Sequence, residues 1–509
     1  MKFYNAQQLR DWDAYTIKHE PISGNMLMKR AAEFCAMVMS MDMEKDCHVY
    51  VFCGTGKNGG DGLIIADSLK ATHHVEVYVV NGTGSECPEF RHYLKKLKIH
   101  TNQVNTTADL PEFEEGGYII DAILGMGVNK PVIGILANII EEINDSGCYI
   151  LSVDLPSGLQ PEMHDHVEGA TIIKASETYP FQQVKPSMLL PETGKYCGNI
   201  LMLPIGLHPD FANETPSEFY TFELEAMEGL LEPRQKFSHK GDYGHALLVV
   251  GSKGKFGAAR FAAEACTKSG VGLLSVECGH LSDMMQLSVP EAMIFDEVII
   301  PKITAVGCGC GLGTDELAKV RLKYVLENFD CPMVFDADAL NLFAKHKDLK
   351  IPEGSILTPH VGEFERLFGP SANGYRRLLK AKEMASKLQV TIVLKGTYTI
   401  TCVPEGEICI NTNGNPGMAK GGSGDVLTGL ITGFLAKGMP PNVAAIAGVY
   451  MHGLAGDLAV QTLDMETMTA SDIINYFSDA FRFVINGPES LLPDDQFSGG
   501  NLPPGFSMN

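Results

Sequence analysis

Short apolar runs alternate with polar, helix-compatible stretches along the first two hundred residues. HVYVFC (48–53), HVEVYVV (74–80), YIIDAIL (118–124) and CYILSVDL (148–155) are each the length of a buried strand, and NILMLPIG (199–206) adds another. Stretches between them, such as 61–71, carry helical spacing. Apolar strands separated by helical segments predict a mostly parallel sheet covered on both faces. The pattern weakens around Pro209, Pro216 and the acidic FELEAMEGLLEP, then restarts at HKGDYGHALLVVGS (239–252). From there strands are predicted at 246–251, 271–277, 303–307, 331–336, 355–358, 391–395 and 398–402. Helices are predicted over 257–269, 425–437, 441–459 and 471–485. The chain therefore divides into a domain over 1–213, a linker over 214–225, a second domain over 226–487, and a Pro/Gly-rich flexible tail over 488–509. No internal repeat makes the halves duplicates; they read as two different α/β domains.

A chain of 509 residues is long for one core and comfortable for two. With 45% hydrophobic and 20% charged residues it has the composition of a folded protein, which excludes global disorder. No apolar run approaches 18 residues, so no membrane span or membrane partner is expected. The opening MKFYNAQQLRDWDAYTIKHE lacks the apolar core of a signal peptide. The 13 cysteines are scattered, and Cys308 with Cys310 has poor zinc spacing; this usage predicts a reducing, cytoplasmic location. A net charge of -22 without a basic stripe argues against nucleic acid. A small anion is still compatible, because glycine turns and helix N-termini hold phosphates through backbone N–H groups.

The first glycine constellation, VYVFCGTGKNGGDG, follows a strand and precedes a helix. Gly54, Gly56 and Gly59 satisfy the loose dinucleotide expression, but the acidic ribose ligand about 20 residues on is missing: that strand ends Val79-Val80-Asn81. An ordinary NAD-dependent dehydrogenase is thereby disfavoured. Asn58 and Asp61 flank the Gly-Gly pair, Asp121 opens DAILGMG, and Asp154 with Ser157 sits in VDLPSG. All three places are predicted strand C-terminal ends, the ligand edge of an open α/β sheet. Converging carboxylates, an amide and a hydroxyl can bind a hard cation and move a proton. Individually, Asp61 could cap a helix and Ser157 could sit in a turn; together they read as a site.

GKNGGDG, DAILGMG and VDLPSG together resemble the NAD(P)H-hydrate epimerase family, the YjeF N-terminal domain, which implies a Rossmann-like three-layer fold. The resemblance implies K+ bound by Asn58, Asp121 and Ser157. It implies substrate contacts from Lys57, Asn58, Gly59, Gly60 and Asp61, from Gly125, Met126, Gly127, Val128, Asn129, Lys130 and Pro131, and from Asp154. Asp154 is the candidate for proton transfer. ASETYPF (175–181) departs from the family's later motif through Ser176, Glu177 and Pro180, while Lys185 and Gly194 follow the pattern more loosely.

The second constellation, MAKGGSGDVLTG (418–429), is the strongest in the chain. Gly421, Gly422 and Gly424 can converge N–H groups on an anion, and Asp425 stands at a predicted helix start, where it can take a proton from a hydroxyl or simply cap the helix. This is not a P-loop. With HKGDYGHALLVVGS, FGAARFAAEACTKSGVGL, GCGLG (309–313), FDADALN (335–341), LTPHVGEFERL (357–367) and VLKGT (393–397), it resembles the ribokinase-like, ADP/ATP-dependent NAD(P)H-hydrate dehydratases. That resemblance implies Ala258, Gly313, His360 and Asp425 at the hydrated nicotinamide. It implies Lys395, Gly396, Thr397, Tyr398, Thr399, Gly421, Gly422 and Gly424 at the nucleotide. Of Asp336 and Asp338, one would orient Mg2+-bound ADP or ATP and the other would cap a helix. KFGAA (255–259) and TMTASDI (467–473) depart slightly from the family pattern.

The two resemblances imply one bifunctional repair enzyme, isomerase and lyase, acting on hydrated NADH and NADPH (NADHX and NADPHX), whose reduced ring carries a hydroxyl on C6. They also imply self-assembly into a homo-oligomer. Two other readings stand beside it. A ribokinase-like small-molecule kinase would share the anion loop and base, and would release a stable phosphorylated product. A non-catalytic nucleotide or cofactor sensor would need neither Asp154 nor Asp425 as a base.

Overall fold

In a computed structural model of the chain, residues 1–165, 169–231, 233–295, 302–487 and 490 are described. The tail expected over 488–509 lies, Ser490 apart, outside the described residues. The chain forms two compact units that meet in sequence at Glu218 and Phe219, with residues 372–377 grouped with the N-terminal one.

The N-terminal unit opens with β1 (Lys2–Phe3) and the helices Ala6–His19 and Gly24–Asp42. Its sheet contains β2 (His48–Cys53), β3 (His74–Val80), β4 (Thr101–Val104), β5 (Tyr118–Ala122), β6 (Tyr149–Val153), β7 (Glu177–Tyr179) and β8 (Asn199–Ile200). The order is β4-β3-β2-β5-β6-β7-β8, parallel throughout. Side-chain alternation along β2 builds both faces. Val49, Val51 and Cys53 pack with residues of the helices Gly24–Asp42 and Lys57–Leu69. Tyr50 and Phe52 face Ile139, Ile140 and Ile143 of helix Ile135–Asn144. The result is the parallel sheet covered on both faces that the apolar runs predict, in the three-layer, Rossmann-like form the resemblance implies. Strand order reverses between β2 and β5, so the loops leaving those strands part and open a crevice.

The C-terminal unit contains β9 (Phe219–Tyr220), β10 (His245–Val249), β11 (Leu273–Glu277), β12 (Met293–Ile294), β13 (Ala305–Cys308), β14 (Met333–Phe335), β15 (Ile356–Leu357), β16 (Thr391–Leu394), β17 (Ile400–Cys402) and β18 (Ile408–Ile410). Its strands run β9-β18-β17-β16-β15-β14-β13-β10-β11-β12. The core from β12 to β16 is parallel, whereas β16, β17 and β18 form an antiparallel meander. Ala246, Leu248, Val334, Ile356 and Val393 form one core with residues of the helices Phe256–Lys268, Ser423–Ala436 and Pro441–Ala459. This is the ribokinase-like α/β unit.

The helix Ser423–Ala436 lies tight against Phe256–Lys268 because its contact face has no side chains at two positions. A Cβ on Gly429 would meet the Ala262 carbonyl oxygen at 2.1 Å, and one on Gly433 would meet Ser269 Oγ at 1.8 Å. An ordinary helix would gain stability from alanine at such positions; here the backbone carbonyl cannot move aside. Gly429→Ala is expected to lower unfolding stability by about 1–3 kcal/mol, read as a lowered midpoint in chemical denaturation.

Candidate functional site

In the N-terminal unit the expected residues gather at the C-terminal ends of β2, β5 and β6. A cavity of about 640 Å³ is lined by Lys57, Asn58 and Asp61, by all seven residues Gly125–Pro131, and by Asp154. Gly59 and Gly60 do not line it. A Cβ on Gly59 would sit 1.7 Å from the Gly54 carbonyl oxygen, and one on Gly60 would sit 2.9 Å from Met28 Sδ, so both are there for close packing. Asp61 is no cap: the helix starts after Gly56, and Asp61 is buried within it. Burial, reinforced by Asp154 and Asp13, pushes its carboxyl well above the ordinary range.

Asn58 and Ser157 meet at the Leu124 carbonyl on the cavity wall, and Ser157 links on to Asp121. The fully buried Asp121 carboxylate accepts from Ser152 Oγ and Ser157 N, both at 2.8 Å, from Ile123 N at 3.3 Å, and from the Ser157 hydroxyl. Asn58 donates Nδ2 to the Leu124 carbonyl at 2.9 Å, while its own Oδ1 is buried without a hydrogen-bond partner. An orphaned buried oxygen on a residue that shares the Leu124 carbonyl with Ser157, which in turn bonds Asp121, has the donor chemistry of a hard-cation ligand. Among the described residues no group of three or more His, Cys, Asp or Glu could hold a metal, so any cation here rests on neutral oxygens around one acid.

Asp154 is held in a strained conformation. Its φ is +66°, in the left-handed region disfavoured for side-chain-bearing residues. Its amide donates to the Tyr179 carbonyl at 3.0 Å, and its Oδ1 accepts from Phe181 N at 3.0 Å and from Lys185 Nζ. Lys185 is 1% exposed, and its ammonium also reaches the carbonyls of Phe181 and Gln183. The sequence flagged Lys185 only as part of a motif; its partner Asp154, 31 residues away, is set by the path of the chain around β7.

In the C-terminal unit, four consecutive parallel strands each deliver a residue at their C-terminal ends. Cys310 follows β13, Asp336 follows β14, His360 follows β15 and Lys395 follows β16. Lys395 Nζ pairs with Asp336 Oδ1 at 2.8 Å and lies 3.9 Å from Glu363. Those two carboxylates favour the ammonium against its burial, so its pKa is raised. Thr428 Oγ1 donates to Asp336 Oδ2 at 2.6 Å. Asp336 also caps helix Ala337–Lys345, while Asp338 accepts from Gly313 N and Lys255 Nζ, each at 2.8 Å. Lys395 therefore serves an internal carboxylate in this structure, which the sequence could not indicate.

The glycine loop Gly421–Gly424 runs directly into helix Ser423–Ala436. Gly422 is the N-cap of helix Ser423–Ala436 with φ +98°, and a Cβ there would strike the Phe261 ring at 2.6 Å. A Cβ on Gly424 would lie 3.3 Å from Lys395 Nζ, which brings loop and lysine together. Asp425 is in the first turn rather than at the cap. Burial first, then the charge of Asp336, pushes its carboxyl up to about 6, against a hydrogen bond from Cys310 and the charge of Lys395. Ala258 packs beside Gly311, and Gly396 to Thr399 turn the chain from β16 into β17, with Thr399 Oγ1 on the Gly396 carbonyl at 3.3 Å. His360 caps helix Val361–Phe368, half-exposed, with Nε2 3.3 Å from Glu363.

Two family models match the chain: one described as YjeF-related protein N-terminus over residues 24–187, and one described as NAD(P)H-hydrate dehydratase over residues 246–478. The bifunctional NAD(P)H-hydrate repair enzyme Nnr of Coxiella burnetii is 33% identical over 495 residues, 92% of this chain and 97% of that protein. The chain belongs to the bifunctional NAD(P)H-hydrate repair enzyme family. The member from Escherichia coli K12 is 32% identical over 489 residues, 94% of this chain and 92% of that one. A solved ADP/ATP-dependent NAD(P)H-hydrate dehydratase from Bacillus subtilis, co-crystallised with ATP/Mg2+, is 33% identical and covers 52% of this chain and 98% of its own, with a TM-score of 0.46. No helix among the described residues is long and apolar enough to cross a membrane.

The pair Lys185–Asp154 is buried in the N-terminal unit. Lys185→Met would leave Asp154 buried without its cation, and is expected to cost about 3–5 kcal/mol, measured by denaturant unfolding.

Proposed function

We propose that this chain repairs hydrated nicotinamide cofactors. The N-terminal unit interconverts the R and S epimers of hydrated NADH and NADPH, and the C-terminal unit dehydrates the S epimer with consumption of ADP or ATP. The observation that carries the reading is the placing of Asp425 beside Lys395 and the glycine loop, in a chain whose family membership spans both units. A kinase would use the same loop but would leave the N-terminal cavity without a purpose. A sensor would not need a desolvated carboxylate at the anion loop. All 13 cysteines are free, in keeping with work in a reducing cytosol.

In the C-terminal unit Asp425 takes the proton from the C6 hydroxyl of the hydrated ring, and the oxygen attacks the terminal phosphorus of the nucleotide. N–H groups of the loop Gly421–Gly424 and the helix N-terminus stabilise the charge that develops on the transferred group. Lys395, held by Asp336 and Glu363, supplies a fixed positive charge beside the loop. The phosphorylated oxygen then leaves as phosphate, a far better leaving group than hydroxide, and loss of a proton from C5 restores the ring double bond. AMP or ADP is the second product. Asp336 and Asp338 are both engaged by protein groups, so Mg2+ would arrive on the nucleotide's phosphates, which is the ion's usual mode.

In the N-terminal unit Asp154 is the base toward the same hydroxyl, and Lys57, Asp61 and the segment 125–131 frame the substrate. Asn58, Asp121 and Ser157 would hold K+, which would supply a positive charge at the cavity floor.

The direct test follows absorbance at 340 nm on a mixture of R and S hydrated NADH with Mg2+, K+ and either nucleotide. Conversion of both epimers supports both units; recovery of the S portion alone, beyond spontaneous epimerisation, removes the epimerase; no recovery with either nucleotide overturns the reading. Asp425→Asn is expected to lower the dehydration kcat by about 10²–10⁴-fold. Because Asp425 must be ionised to act as a base and its carboxyl is pushed up to about 6, dehydratase kcat/KM is expected to rise with pH through that value and then level off, read from initial rates.

A further inference from the structure

The wall of the N-terminal cavity formed by helix Ala6–His19 lies outside the segment matched by the family model, which begins at residue 24. Arg10, Asp13 and Ile17 line the cavity from this helix. Their spacing of three and then four residues places them on one face, beside the buried face carried by Leu9, Trp12 and Thr16. Trp12 anchors the helix by donating Nε1 to the His208 carbonyl at 2.8 Å and by stacking on Phe211 at 5.6 Å. Asp13 is therefore carried on a fixed element. Its carboxyl has no hydrogen-bond or ion-pair partner among the described residues, in contrast to Asp154, which is held on Oδ1 by an ammonium and an amide.

Inversion at C6 of the hydrated ring demands more than a base. The hydroxyl-bearing carbon is bonded to N1, and one reversible route to the other epimer is ring opening. A base removes the O–H proton, the C6–O bond becomes a carbonyl, and the C6–N1 bond breaks with its electron pair going to N1. A second group must protonate N1. Rotation about C5–C6 presents the other face of the aldehyde, N1 returns its proton to that second group, and the protonated base gives its proton back to the oxygen as the ring closes. No oxidant or further reactant enters, and both groups end as they began. The site therefore needs one group that takes a proton and a second that gives one.

Resting on the epimerase reading above, we propose that Asp13 is the proton donor of this site, working with Asp154 as the base. Both line the same cavity, and they come from different elements, helix Ala6–His19 and the turn after β6. The charges that act on Asp13 are Lys57, from helix Lys57–Leu69, and Asp154 with Lys185. Asp61, Glu89 and Lys130 line the same cavity, and Arg10 shares the helix. Burial is the largest influence and pushes the Asp13 carboxyl up to about 6, so a protonated fraction persists near neutral pH. Asp154 has the Lys185 ammonium in direct contact.

The test measures equilibration of purified R hydrated NADH by chromatographic separation of the epimers, without nucleotide, in the full chain, with the spontaneous rate subtracted. Asp13→Asn is expected to lower kcat by about 10²–10⁴-fold while KM stays within about threefold, and to abolish the fall of wild-type kcat as pH rises above about 6. Asp13→Glu, which keeps a carboxyl, is expected to restore much of the lost rate and to retain a descending alkaline limb. An Asn variant within about twofold of wild-type kcat, or one altered in KM alone, overturns the assignment. Should the Asn variant fail to fold, Asp13→Ser decides by the same criteria: a kcat within about twofold of wild type overturns the assignment, and a lowered kcat without the alkaline limb supports it. A wild-type chain that does not epimerise at all overturns the epimerase reading and this inference with it; an active wild type with an unaffected Asn variant overturns this inference alone.

Discussion

Lys395 enters the C-terminal unit at the end of an apolar strand and ends between Asp336 and Glu363. A charge in that position is tolerable only when its partners are fixed, and the surrounding geometry follows from fixing them. Asp336 is tied down by Thr428 and by the first amide of its own helix. Thr428 belongs to the helix that begins at the glycine loop, so the ion pair couples the sheet edge to the anion site. The N-terminal unit solves a related problem with Lys185 and Asp154, where the lysine is still more deeply buried and the carboxylate carries backbone strain. In both units a lysine holds a carboxylate at the ligand edge of a parallel sheet, and a second carboxylate stands nearby with its proton affinity raised: Asp425 in one, Asp13 and Asp61 in the other.

Much of this was legible in the sequence, for identifiable reasons. The apolar runs that predicted β2, β3, β5 and β6 are buried on both faces, which makes them long and unbroken. The glycine loops were legible because only glycine tolerates the left-handed backbone of Gly422 or the carbonyl pressed against Gly59. What escaped was of another kind. The strands Thr101–Val104, Glu177–Tyr179 and Ile408–Ile410 are too short or too polar to announce themselves. Helix Ala6–His19, with Asp13 on it, has no motif; its identity as a cavity wall depends on where Trp12 docks, 196 residues away from its hydrogen-bond partner.

The ion pairs were hidden for the same reason. A lysine in an apolar stretch signals an anion, and for Lys395 the nucleotide was the anion expected. The structure supplies an internal one 59 residues distant, leaving the lysine as a charge already committed and held in place. Asp336 and Asp338 likewise divide their work among backbone amides and lysines instead of forming a metal cage. Sequence spacing reports contacts within an element well and contacts across a sheet edge poorly.

The glycine contacts that seat helix Ser423–Ala436 against Phe256–Lys268 have a thermodynamic consequence for the ligand. At Gly429 the helix backbone is pressed on the Ala262 carbonyl, a contact with no rotamers to freeze. Were the loop to receive a phosphate as proposed, its N–H groups would be held by that seat beforehand, and less entropy would be lost on binding than for a mobile loop. On the proposed function, any affinity for the anion would come from a frame that stays nearly the same whether the site is empty or full.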